Sequence, residues 1–140
     1  MALVVPNTAD VLMLKYILNQ LTTDGNPGGA GGQRILKLFK NGNLIPSKTT
    51  VISDITELTH PDYTEKTLLG ANWTVATSTA GTNTAVYSEQ VFTFSSGVSV
   101  YGYYVTTATG SLLWVERFST TPFTLTGAGE IAVTPRLTLD

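Results

Sequence analysis

Apolar residues recur along the first part of the chain at the spacing of a helix. In "NTADVLMLKYILNQL" (Asn7 to Leu21) they fall at Val11, Leu14, Leu18 and Leu21, with Leu12, Met13 and Ile17 alongside. That is the 3.6-residue period of an amphipathic helix with a broad apolar face. Asn7 or Thr8 suits its N-cap, and Asp10 suits the positive end of its dipole. Pro6 sets this helix apart from a short apolar arm, Ala2 to Val5.

After the tract "DGNPGGAGGQ" (Asp24 to Gln33) the period changes from 3.6 to 2. In "RILKLFKNGN" Ile35, Lys37 and Phe39 share one face, Leu36, Leu38 and Lys40 the other, and Asn41-Gly42 signals a tight turn. "TTVISDITEL" is a weaker strand, and "PDYTEKT" reads as a turn or loop. "KTLLGANWTVATS" reads as a strand bent at Gly70, with Trp73 and Val75 on one face. "TAVYSEQVFTFSS" follows, with Val86, Phe92 and Phe94 on one face, then "VSVYGYYVTTA", the turn "TATGS" and "LLWVERFS". "GEIAVTPRLTLD" alternates most clearly: Ile131, Val133, Leu137 and Leu139 against Glu130, Thr134, Arg136 and Thr138. Pro135 lacks a ladder donor, so it marks an edge or a bulge.

Seven or eight short strands rich in Thr, Val, Phe and Tyr predict an antiparallel sandwich or barrel. With no helices between strands, a parallel α/β fold is excluded. The expected fold is all-β, an eight-stranded antiparallel jelly roll carrying an N-terminal helix and a glycine-rich tether; an immunoglobulin-like sandwich or an up-and-down barrel is the alternative. The expected organisation is an arm and helix over 1–23, a tether over 24–33 and a β-sandwich body over 34–140.

The glycine tract fits neither phosphate-binding pattern. Gln33-Arg34 stands where a P-loop needs lysine and a hydroxyl, and Arg34 replaces the last glycine of a dinucleotide fingerprint. The tract also follows a helix and opens a strand, the reverse of the order that aims helix amides at an anion. As flexible chain it spans about 15–18 Å. The helix then either caps its own β body or reaches a neighbour.

Charge is sparse. Lys, Arg, Asp and Glu make up 13% of the chain, against about 25% in ordinary soluble domains. Net charge is −2, with no basic run of the kind nucleic acid attracts. Low charge with positive mean hydropathy suggests either a tight neutral domain or a surface buried against other chains. There is no cysteine, which removes disulfides, thiolate metal sites and cysteine nucleophiles. No apolar run is long enough to span a bilayer. "MALVVPNTAD" lacks the basic start and cleavage site of a signal peptide, so synthesis and use in a cytoplasm, or release by lysis, is expected.

Candidate chemistry is thin. The single histidine, His60, sits in "LTHPDY" beside a proline. There is no G-x-S-x-G elbow and no metal-ligand spacing. Glu89, Glu116, Asp54 and Glu57 are the carboxylates that could pair across space, as in glycosidases. "NWT" at Asn72 matches a glycosylation acceptor, which matters only in a secreted chain. The expectation is a chain with no catalytic, cofactor, metal or nucleic-acid site. Aromatics are more prominent: Trp73, Tyr87, Tyr101, Tyr103, Tyr104 and Trp114 all fall on expected strands. They serve either as core or as a platform for sugars or protein partners. The candidate partner-binding residues are Leu3, Val4, Val5, Leu12, Tyr16, Tyr101 and Tyr103.

The pattern "ANWTV … QVFTF … VYGYYV … LLWVERF … PFTL … IAVTPRLTL" resembles the capsid cement, or decoration, proteins of tailed phages, that of a Bordetella phage among them. The likeness covers about Arg34 to Asp140 and, more loosely, the helix. "LLWVERF" and the terminal "TP-R-LTL" are its most distinctive pieces. No motif among them marks a contact residue. The resemblance implies a jelly roll on the outside of a virion capsid, bridging subunits of the major capsid protein as a homodimer. A carbohydrate- or receptor-binding module of a tail or spike is the alternative, and a small-ligand barrel or enzyme is the third.

Overall fold

The computed structural model describes residues 7–18, 33–76 and 82–139. These residues are mostly β-strand. One α-helix accompanies eleven short strands in four sheets. The chain divides into two compact units: residues 1–34, 68–89 and 134–140 in one, residues 35–67 and 90–133 in the other.

The first unit holds helix α1 (Asn7–Leu18) and the strands β3 (Thr74–Ala76), β4 (Asn83–Val86) and β11 (Arg136–Leu139). β4 is central, with β11 and β3 antiparallel on its two sides. The helix lies on this small sheet. Its residues Leu14 and Leu18, one turn apart on the apolar face, are fully buried, and so is Ala85 on β4. The helix therefore packs on strands of its own chain. Arg34 donates from Nε to the Ile17 carbonyl at 2.6 Å, placing a cation on an orphan acceptor near the helix's C-terminal end. Trp73 packs its ring against Tyr87, with centroids 5.1 Å apart, and the Tyr87 hydroxyl accepts the Leu69 amide. The proposed N-cap side chains, the tail of the predicted helix beyond Leu18 and the glycine tract as far as Gly32 lie outside the described residues; Gln33 opens a strand.

The sheet β2-β1-β7-β8 is formed by β1 (Gln33–Phe39), β2 (Lys66–Leu69), β7 (Gly102–Thr107) and β8 (Leu112–Arg117); the second unit holds β7, β8, residues 35–39 of β1 and residues 66–67 of β2. Two antiparallel ribbons join it: β5 (Gln90–Phe94) with β10 (Gly129–Val133), and β6 (Val98–Val100) with β9 (Phe123–Leu125). Strand β7 is buried on both faces from Gly102 to Thr106. The turn after it, at the expected "TATGS", closes through Thr107 N–H to the Ser111 carbonyl, with Gly110 at φ +94°. At Gly102 a side chain has no room. A Cβ there would collide with the Glu116 carbonyl and stand only 2.5 Å from the Phe39 ring.

Strand count departs from the expected eight. The stretches read as continuous strands over 66–78, 84–96, 98–108 and 129–140 each contain two short strands. Each changes hydrogen-bonding partner partway. After Tyr87–Glu89 the chain leaves β4 and pairs as β5 with β10; after Thr134-Pro135 it leaves β5 and pairs as β11 with β4. The chain bends at Gly70, as the sequence reading has it, and at Pro135, read as an edge or a bulge, the strand is interrupted between Val133 and Arg136. "TTVISDITEL" forms no strand. It carries a 3-10 turn (Ile52–Asp54), and only Glu57 bridges back to Phe39.

Candidate functional site

Three places in the second unit bring reactive or sticky groups together. In the first, β1 carries Lys37 between two carboxylates, Glu65 at 2.9 Å and Glu57 at 3.2 Å. Tyr63 donates to the other oxygen of Glu57 at 3.0 Å and accepts the Leu38 amide at 3.1 Å. The hydrogen bond to Glu65, reinforced by Glu57, holds the Lys37 ammonium above its ordinary pKa against the opposing effect of burial. Burial raises Tyr63 and Tyr104, with the charge on Glu57 adding to both. A charged lysine beside neutral tyrosines is a satisfied ion-pair network. It ties the 57–65 segment to β1.

The second place is His60. Its Nε2 lies 3.0 Å from Ser96 Oγ, and Asp62 sits 3.7 Å from its Nδ1. Serine, histidine and aspartate in this order suggest nucleophilic catalysis, but the hydrogen bonds run the other way. Nδ1 accepts the Asp62 amide N–H. In the tautomer that lets Nδ1 accept this amide, the neutral ring points its Nε2 proton at Ser96, opposite to the direction a general base needs. The Asp62 carboxylate accepts both the amide and the hydroxyl of Ser95, and these two bonds hold its pKa below the ordinary value. The edge of the His60 ring rests on Phe94. This arrangement fastens the 60–62 turn to the end of β5.

The third place is apolar. The loop after β1 leaves through the turn at Asn41-Gly42. It is braced by Asn41, whose side chain donates to the Asp54 carbonyl and accepts the Thr56 amide. Arg117 clamps the same loop, donating to the carbonyls of Gly42 and Leu44 while its guanidinium lies over the Tyr101 ring. Leu44 joins Phe39 and Tyr104 in a buried cluster against which Leu112 and Val115 of β8 pack. Between residues 46–52 of this loop and Leu112–Val115 lies an open cleft of about 610 Å³. Along the loop Ile45 is 80% exposed, Val51 52% and Ile52 44%. β8 is the edge strand of its sheet.

The candidates named from sequence distribute unevenly. Tyr103 is 3% exposed and gives its hydroxyl to Glu116 at 2.6 Å, so it offers no platform. Tyr101 is half-buried between Gly42 and Arg117. On α1, Leu12 is half-buried and Tyr16 37% exposed. Leu3, Val4 and Val5 lie outside the described residues. Of the carboxylates, Glu57 is held by Lys37 and Tyr63, Glu116 by Tyr103, and Asp54 accepts the Val51 amide. Glu89 belongs to the other unit. No cluster of three or more metal-ligating side chains occurs among the described residues, and no helix there is long and apolar enough to cross a membrane.

Sequence reading passed over Ile45, Val51, Ile52 and Arg117. The one signal was the apolar pair in "TTVISDITEL", a stretch read as a weaker strand. Compared with protein-family models, curated proteins and solved structures, the chain matches none.

Proposed function

We propose that this chain is a structural virion protein of a tailed phage. It binds the outside of the capsid and bridges neighbouring subunits of the major capsid protein, as a homodimer, without transforming a substrate. Its strands would then form the jelly roll that the resemblance implies. The observation that carries the reading is the exposed apolar surface of Ile45, Val51 and Ile52 beside an open sheet edge, on a chain with little charge. Such a surface favours burial against a partner.

The mechanism is mechanical. A packed shell is loaded outward, and a protein spanning a joint adds interface free energy that must be lost before the joint opens. A standard interface buries about 1,600 Å², and micromolar to nanomolar contacts are worth roughly −8 to −12 kcal/mol. Two grips per dimer multiply the effect without new contacts. Capsids assembled without this chain should release DNA at lower temperature than complete ones. Equal survival of heat and osmotic shock would sink the proposal. The carbohydrate-binding alternative loses its main support with the burial of Tyr103.

A further inference from the structure

The strand β8 breaks a rule that free sheet edges usually obey. Edges are blunted by lysines, prolines or cover, because an apolar edge invites another strand. Here the first four residues, Leu112-Leu113-Trp114-Val115, carry no charge, and β8 has no neighbour beyond β7 among the described residues. We propose that β8 pairs antiparallel with β8 of a second copy of this chain, with Leu112 opposite Val115 of that copy and Leu113 opposite Trp114.

Charge and face both select this register. Of the ways to lay the strand against itself, it is the one in which the four apolar residues meet only one another. Glu116 then stands opposite Ser111 and Arg117 opposite Gly110, so no like charges face each other and no carboxylate is laid on a leucine. A shift of one or two positions one way puts Glu116 opposite Leu112 or Leu113, and the other way leaves Val115 opposite Ser111 or Gly110. Directly opposed residues also share a face of the sheet. Leu112 and Val115 both pack towards Phe39, Leu44 and Tyr104, although three positions apart. The register explains this: Thr106 faces Leu112 while Val105 faces Trp114, so Leu113 is an extra, bulged residue. The proposed pairing therefore continues one apolar row across the seam.

The two-fold axis of such a pair is perpendicular to the sheet and keeps equivalent faces on the same side. The loops bearing Val51 and Ile52 from both copies thus meet over the seam. One six-residue strand falls well short of the roughly 800 Å² per partner of a stable interface, and these exposed side chains supply further apolar area. The inference deepens the homodimer of the preceding reading and rests on it.

The test is sedimentation equilibrium on the full chain, with circular dichroism as a check of folding. The wild-type chain should be a dimer at micromolar concentration. Leu112→Lys alone and Val115→Glu alone should each weaken dimerisation by at least about tenfold. Mixed together they should recover a heterodimer, since the ammonium introduced in one chain then faces the carboxylate introduced in the other. Val51→Asp, at an exposed position, should also weaken the dimer while leaving the fold intact, and it serves if the strand variants do not fold. A wild-type monomer at about 100 μM, variants that dimerise like wild type, or folded variants whose mixture stays monomeric would each overturn the inference. A monomer that still protects capsids from heat would remove this interface and spare the capsid reading. A dimer that protects nothing would do the reverse.

Discussion

Gly102 shows how one residue sets the spacing of a core. Its missing side chain leaves room for the Glu116 carbonyl and the Phe39 ring, which both crowd the place a Cβ would take. Gly102→Ala should destabilise the chain by about 1–3 kcal/mol, the usual cost of overpacking, measured by urea unfolding. Wild-type stability in that variant would show that β7 and β8 can separate without loss. The same economy appears at Arg117, where one guanidinium satisfies two loop carbonyls, the Thr121 hydroxyl and the Tyr101 ring face. Neither role is announced locally. Glycine in "VYGYYV" signals a close neighbour or a bulge, and only the fold shows that the neighbours are Phe39 and β8.

Among the elements, α1 was the one whose partner stayed open. Its period located the apolar face, and Leu14 and Leu18 on that face are fully buried. What the face meets, the sheet β3-β4-β11, is assembled from residues 74–76, 83–86 and 136–139, far apart in the chain. Removing the helix would therefore uncover this sheet. Leu14→Ala should cost about 2–5 kcal/mol. Hydrogen exchange should quicken in β3, β4 and β11. Unchanged protection in those strands would mean that the helix is dispensable to them. The strands teach a related lesson. Alternation marks which residues lie in extended chain, but a strand that changes partner midway keeps its alternation through the change. That is why 84–96 and 129–140 read as single strands.

For the whole molecule, the groups that titrate above neutrality act together. Lys37 is held above its ordinary 10.5 by Glu65 and Glu57, and burial raises Tyr63 and Tyr104 above 10.0. A group with a raised folded-state pKa contributes stability that is complete below its unfolded value and is lost as pH rises past it. Stability should therefore hold up to about pH 10 and fall above it, read as a declining denaturation midpoint. Tyr63→Phe should flatten part of that decline, at the cost of leaving the Leu38 amide without its hydroxyl acceptor. A midpoint insensitive to alkali in the wild-type chain would contradict the network around Glu57.

Sequence alone determined the local and the compositional. Period separated one helix from a strand-rich remainder, Gly70 marked a bend, Pro135 marked an irregularity in the last strand, and the absence of cysteine removed thiolate chemistry. These follow from side-chain spacing and from atoms that are present or missing, so they need no partner to be read. Tertiary structure decided the rest: that Tyr103 is buried, that His60 meets Ser96, that Val51 and Ile52 stay in solvent beside an open edge. Burial, contact and exposure depend on which distant segment arrives at a residue. That is set by the pairing of strands remote in sequence, which the alternation within any one of them does not encode.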